Sequence, residues 1–493
     1  MIRLKKINKY ILINIVHCVL LLVGSILFFF FMSKDDLNYS VLSILLIFIS
    51  QVIFCLIKYE QRIAYLLFLA SFFIFLLGRM CVEYFYYGSI GFYFTLSISK
   101  HMLLSIFISL IFLEVGYCCI LIVKNKYKHL NISFNDHKRE TEKYSFLMRI
   151  SFILFSITFI CVILMNFEQV IYVNKYDYIA LFKDFHSQLP RLLQVVGNMY
   201  IVSFLIFLGT CPKRRYCIIS FIMFFIISLT DLLIGDRGTF IINLAIIIVY
   251  IFWRECVDNK IWINRKIILL TIVILPLFLA FLNYFVSIRE DVNMGENKIS
   301  AQLRNFFIST GSSVDILGYG EVYKDDLPQS FYSFGELIDY PKYNPISEYL
   351  FNIAEPMPHT KEYVYTMHSY AHAISYFIDS NLYLEGHGKG SSYIAEVYND
   401  FGYIGIIVCN LLYGSLLASV NLVKKGKPFL LACLLISIRI MFYVPRGAMI
   451  QPISYVLNIT TLSALFFFFI AMKNEIRLKT AFQTFLNKVR KVI

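Results

Sequence analysis

Apolar residues gather in long unbroken runs along most of the chain, and polar residues mark the gaps between them. A helix that crosses a bilayer needs about 20 mostly apolar residues. Runs of that kind lie near 10–32, 38–57, 63–82, 101–123, 147–166, 191–209, 217–234, 238–253, 267–288, 401–422, 429–444 and 453–472. The pattern predicts an all-α polytopic membrane protein with about twelve transmembrane helices. The runs 217–234 and 238–253 are short and closely joined, so a broken or re-entrant hairpin competes with two full spans there. The first run follows Met-Ile-Arg-Leu-Lys-Lys. It exceeds the roughly 7–15 apolar residues of a cleaved signal and shows no small-residue cleavage site, so it reads as a retained span.

One segment, about 289–400, carries no such run and is rich in Tyr, Phe, Asn, Ser and Gly. Long segments of this kind are usually functional or form a small domain. Short helices are predicted near 298–309 and 361–379. The chain then divides into an N-terminal transmembrane bundle of about nine helices (1–288), the long loop (289–400), and C-terminal transmembrane helices with a tail (401–493). No internal repeat, heptad or low-complexity tract stands out.

Composition supports the membrane reading. Residues of the AVILMFWYC set make up 59 % of the chain and charged residues only 16 %, against about a quarter charged in soluble domains. A disordered chain, a collagen-like chain and a disulfide-stapled mini-protein are excluded. The net charge of +13 sits in short clusters between the apolar runs, which fits membrane topology and not a nucleic-acid surface. With the amino terminus inside, the cytoplasmic segments hold about 28 Lys and Arg against about eight outside. Both termini are therefore expected in the cytoplasm and the long loop outside. The 289–400 segment contains none of the 11 cysteines, and no Cys-x-x-Cys pair exists. A disulfide framework in the loop and a thiolate zinc site are both disfavoured.

The most specific string runs from Gly386 through Gly388, Gly390, Ser391, Ser392 and Glu396 to Gly405. Three glycines in five residues allow tight turns and close backbone approach to a ligand. Ser391 is placed to cap a helix starting near Ser392, which would leave free N–H groups for an anion. Glu396 would lie one turn into that helix. The plainer reading is a loop-to-helix hinge with a solvated glutamate.

Arginines form the second group. Arg237 sits in Gly235-Asp236-Arg237-Gly238, Arg289 follows the ninth run, Arg439 lies within the eleventh, and Arg446 stands in Pro445-Arg446-Gly447. All four map to the outer side. Arginine inside a span is costly and is by default a functional residue, and its fork binds phosphate oxygens in pairs. The competing reading has each side chain snorkel or pair with a neighbouring acid such as Asp236 or Glu290.

The outer histidines are His186, His359, His368, His372 and His387. His387, inside the glycine string, is the best placed to act as a base. His368 and His372 share a helix face, but Ser369 stands where a zincin pattern needs Glu, so a polar face is the simpler account and no metal is expected. Asp35 and Asp36 read as a base or metal ligand, or as a solvated turn. Arg79 and Glu83 are spaced to pair along one helix. Glu114 is an acid within a span with no evident partner.

The string Gly388-x-Gly390-Ser391-Ser392-Tyr393-Ile394-Ala395-Glu396-x-Tyr398-x-x-Phe401-Gly402-x-x-Gly405 resembles the signature of the O-antigen polymerases, the Wzy family of repeat-unit polymerases. The order also resembles theirs: Gly-x-Arg-Gly after mid-chain spans, a long outer loop, the glycine string, then a few closing spans. The resemblance implies a membrane-embedded glycosyltransferase of GT-C-like architecture with a long periplasmic loop. It would extend an O-antigen or related surface polysaccharide on undecaprenyl diphosphate at the outer face of the bacterial inner membrane. It further implies that Arg237, Arg289, Arg439 and Arg446 bind diphosphate and that no metal or other cofactor is needed. The implied partners are the lipid-linked oligosaccharide, membrane lipid and a polysaccharide chain-length regulator, without nucleic acid. An acceptor hydroxyl must be deprotonated, which His387 or Glu396 would do. Tyr363, Tyr365, Tyr370, Tyr383 and Tyr393 are placed to stack on sugars, to pack a loop core, or to form an interface belt.

Two alternatives remain open on sequence. An O-antigen ligase shares the same parts. A lipid-linked oligosaccharide flippase or other transporter would more often show similar halves and short loops, whereas this chain has one large one-sided loop.

Overall fold

The computed structural model describes residues 2–91, 93–128, 144–176, 180–183, 185–264, 266, 274, 277–278, 280–281, 299–475, 477 and 480. Among them every regular element is helical. Eight helices are long and apolar enough to cross a membrane, or ten if each of two bent pairs is one span. The chain is a multi-pass membrane protein. The eight are Ile11–Ser33, Leu37–Ile57, Tyr59–Tyr87, Leu96–Lys124, Ser145–Lys175, Arg214–Ile234, Arg237–Asp258 and Tyr393–Leu422. The bent pairs are Arg191–Asn198 with Tyr200–Gly209, at 41°, and Gln451–Leu457 with Ile459–Lys473, at 61°. Pro428–Met441 is apolar but only 14 residues long. The run expected at 267–288 lies mostly outside the described residues, as does Arg289.

At 217–253 the chain forms two separate helices with a turn at Gly235–Asp236. These helices, of 21 and 22 residues, are each long enough to cross alone, because the helical backbone continues past the apolar runs into flanking polar residues. The breaks fall instead at Met199 and Asn458.

The chain forms two compact units. The first comprises Met1–Val123, Ile251–Ala418 and Met441–Gln451; the second comprises Lys124–Tyr250, Ser419–Ile440 and Pro452–Ile493. Apolar burial does little to join helices in lipid, so close backbone approach and polar contacts carry the packing. In the first unit, helix Leu96–Lys128 meets helix Tyr393–Ser419 through two glycines. A Cβ at Gly116 would strike the Leu411 carbonyl, and one at Gly414 would strike the Leu113 carbonyl. The second unit packs Phe204 flat on Phe224 at 4.0 Å. Its Gly209 lies close to Ala432 and to the Pro428 carbonyl, 2.7 Å from where a Cβ would stand.

The long loop belongs to the first unit and has a core of its own. Its short helices include Ile299–Thr310, Asp315–Val322, Lys361–Thr366 and Tyr370–Ile378, close to the expected positions. Ile316, Leu327, Tyr332, Val364, Tyr370, Ile374 and Tyr383 pack together with Ala395 from the start of the next span. In water each such side chain contributes about 1.5–3 kcal/mol on burial. Tyr363, Tyr370, Tyr383 and Tyr393 are all buried. Sugar stacking by these four is therefore corrected to core packing, while Tyr365 stays exposed. Arg79 ties the loop down, donating to Glu83 at 2.8 Å and pairing with Asp315.

Replacing Gly414 with Val is expected to cost more than the about 1–3 kcal/mol of ordinary overpacking, because backbone and not a side chain must move. Loss of monodisperse protein after detergent extraction would show it; a wild-type elution profile would contradict it. A second expectation concerns pH. Burial, with His359 alongside, pushes the His372 imidazole from 6.5 down to about 4. Between those values the unfolded chain binds a proton that the folded loop refuses, so loop stability is full above 6.5 and falls as pH drops toward 4. Hydrogen exchange in Tyr370–Ile378, corrected for intrinsic rates, should lose protection over that window; constant protection would contradict it.

Candidate functional site

The glycine string folds as a strap leading into helix Tyr393–Ser419. Gly386 and Gly390 take φ values of 97° and 81°, a region that costs an L residue roughly 1–2 kcal/mol. The strap is pinned by Lys389 N–H donating to Ser375 Oγ at 2.9 Å. Gly390 lies against Arg446, whose Nε would be 3.6 Å from a Cβ there. Two motifs distant in sequence, the glycine string and Pro445-Arg446-Gly447, are thus neighbours within the first unit.

Glu396 joins them. It is 1 % exposed, accepts from Ser391 Oγ at 2.6 Å and from Met449 N–H at 2.7 Å, one bond to each carboxylate oxygen. Tyr413 donates in turn to the Met449 carbonyl. Burial of the carboxylate is offset by these charge-assisted bonds. The helix starts at Tyr393, and the Ser391 hydroxyl turns to Glu396. The expected capping role for Ser391 is corrected accordingly: the helix begins at Tyr393, one residue later than the pattern placed it, so Ser392 and not Ser391 stands at its start. Gly402, at φ 62° and ψ −155°, occupies a region open essentially to glycine, and the helix kinks there between Glu396 and the rest of the span.

The second unit holds the Gly235-Asp236-Arg237-Gly238 turn. Gly235, at φ 112°, ends one helix with its N–H on the Leu232 carbonyl at 3.0 Å. Asp236 opens the next by accepting from Thr239 N–H at 3.0 Å. Arg237 is the first residue of that helix and is half-buried. In the same unit Arg439 is 5 % exposed and donates through Nε and Nη2 to Asn243 Oδ1, at 2.9 and 2.8 Å. Asn243 donates onward to Ser228 at 3.0 Å.

The family model for O-antigen polysaccharide polymerase Wzy matches residues 12–479. The chain belongs to that family. No curated protein and no solved structure matches it. Membership in the Wzy family makes the protein an O-antigen polymerase in general terms and does not favour the ligase or the transporter.

Other acidic and histidine positions in this Wzy-family chain find local partners. Asp36 caps helix Leu37–Ile57 by accepting from Tyr39 N–H, and Asp35 pairs with Lys100. Glu114 is paired after all: His17 Nε2 lies 2.7 Å from it, a partner hidden from sequence because it comes from another span. His368 bonds Asp339 at 2.6 Å and His372 bonds Tyr383 at 3.0 Å, so the two histidines are oriented by different partners. Among the described residues no three His, Cys, Asp or Glu side chains converge as metal ligands would. His387 is exposed, and its N–H holds the Leu382 carbonyl at 3.0 Å. One buried acid went unremarked in the sequence, Asp231. Its signal is a carboxylate inside the apolar run 217–234.

The strap separates two glycines sharply. Gly390→Ala must hold alanine at a positive φ beside Arg446 and should lose of order 1–2 kcal/mol of local stability and most polymer extension. Gly388→Ala has only Ser375 Oγ within reach, at 4.0 Å, and should extend chains nearly as wild type. Equal polysaccharide ladders from both variants would contradict the strap geometry.

Proposed function

We propose that this Wzy-family protein polymerises undecaprenyl-diphosphate-linked oligosaccharide repeat units at the periplasmic face of the bacterial inner membrane. A GT-C-like arrangement of about twelve spans, with both termini cytoplasmic and the 289–400 loop periplasmic, is part of the same proposal. The observation that carries it is Arg439. A guanidinium buried in the short apolar helix Pro428–Met441 is held along one edge by Asn243, which fixes its direction without neutralising its charge. Such a group suits a phosphate anion more than it suits packing.

In the reaction, a hydroxyl of the acceptor repeat unit attacks the anomeric carbon of the growing chain. The bond from that carbon to the lipid diphosphate breaks, and the diphosphate leaves with the electron pair. Fixed guanidinium groups stabilise the charge that develops on it without reorganising, which is where most of the rate gain arises. Arg237 and Arg439 serve this role in the second unit. Arg446 beside Gly390 is a further phosphate-binding group, and Arg289 completes the proposed set. Two lipid diphosphates take part, donor and acceptor, so more than one such group has a use. The hydroxyl proton goes to a base. Both Glu396 oxygens are already engaged, so exposed His387 takes the proton while Glu396 holds the strap in place.

The test is the polysaccharide ladder of a deletion strain carrying each variant. Arg439→Ala and Arg237→Ala are expected to abolish long chains while the protein still inserts. His387→Ala should slow extension by about 10²–10⁴-fold. Normal chain lengths from both arginine variants would overturn the diphosphate assignment, and wild-type polymer from His387→Ala would remove the base.

A further inference from the structure

Several charges buried in the described helices face an opposite charge. Arg79 meets Glu83 and Asp315, His17 meets Glu114, and Arg254 meets Asp258 at 2.9 Å. Asp231 and Arg439, like Glu396, do not. Asp231 is 8 % exposed. Its Oδ1 accepts from Asn166 Nδ2 at 2.8 Å, and the same amide reaches Thr230 Oγ1 at 2.8 Å. Its Oδ2 is buried; the Tyr200 side chain lies beside the carboxylate, but no hydrogen bond of normal length and angle reaches Oδ2 among the described residues.

Arg439 lies close enough to act electrostatically on Asp231, with Tyr200 alongside, but the two form no ion pair. Asn243 holds the guanidinium by two bonds, and Asn243 is itself anchored on Ser228, one turn before Asp231 on the same helix. The cluster therefore holds Arg439 and Asp231 near each other but apart within the second unit. Leaving both incomplete in an apolar setting is costly. A ligand that brings an anion to Arg439 and a hydrogen-bond donor to Asp231 would complete both.

A bare diphosphate meets only half of that requirement, because it offers Asp231 a like charge. A glycosyl diphosphate meets all of it: the sugar's hydroxyl or amide N–H groups sit beside the anomeric phosphate. We infer that Asp231 is a sugar-binding residue, accepting a hydrogen bond from the sugar joined to the diphosphate that Arg439 holds. This rests on the diphosphate reading above and adds to it a means of telling substrate from product. The lipid that has lost its glycan presents the diphosphate without the donor, and Asp231 then repels it. Discrimination comes from the repulsive contact as much as from the attractive one.

The test measures binding to the full-length protein in nanodiscs. One probe is the lipid-linked repeat unit extracted from a strain deleted for this protein, and the other is undecaprenyl diphosphate. Wild type should prefer the glycosylated lipid. Asp231→Asn should shrink that preference by roughly tenfold to a hundredfold, the worth of a hydrogen bond to a charged group, and should hold the bare lipid at least as tightly. Arg439→Gln should lose both. Asp231→Asn with wild-type preference would overturn the sugar assignment and leave the diphosphate reading standing. Wild type that binds neither lipid would overturn that reading itself. A second measurement needs no variant: dicyclohexylcarbodiimide labelling of Asp231, read by mass spectrometry, should be blocked by the glycosylated lipid and not by undecaprenyl diphosphate. Equal labelling with either lipid would contradict the inference.

Discussion

A charge inside hydrocarbon must be held by another group, and that demand organises this protein. Water is absent to screen it, so each buried ionic side chain either finds an opposite charge, a neutral dipole or a ligand. His17 with Glu114 and Arg79 with Asp315 take the first course, and each pair links segments far apart in sequence. Arg439 takes the second, resting on the Asn243 amide. Asp231, like Glu114, keeps one buried oxygen without a hydrogen bond among the described residues.

The same demand shapes the strap in the first unit. A chain entering the membrane from a loop exposes backbone and side-chain polar groups just where water thins out. Glu396 gathers the Ser391 hydroxyl and the Met449 amide, so that a loop, a helix start and a distant turn share one acceptor. Glycine supplies what side chains forbid: positive φ at Gly390, a break at Gly402, and near contact of backbones at Gly116 and Gly414. The loop itself is held differently. It has a tyrosine-rich core of its own, so apolar burial stabilises it.

Much of this was legible in the order of residues. Spans announce themselves because lipid tolerates only long apolar helices, and the helices near 299–310 and 361–378 fell where the loop pattern placed them. The glycine string, Arg439 and the Gly-Asp-Arg-Gly turn stood out because their residue types are expensive where they occur. What did not show was the use of each side chain. Ser391 has the form of a cap yet serves Glu396. Tyr370 and Tyr383 have the form of sugar platforms yet fill a core. Asp231 has the same sequence signal as Glu114, an acid in an apolar run, and only its neighbours Asn166 and Thr230 set it apart.

The sequence by itself determined that this chain lives in a membrane as helices, that one long segment stays out of the spans, and which family it joins. Those properties follow from composition and local pattern, which depend on residues near one another in the chain. Only the tertiary structure decided which charges meet. Partners such as Arg439 with Asn243, or Gly390 with Arg446, come from separate segments, and nothing in their local sequence encodes the distance between them.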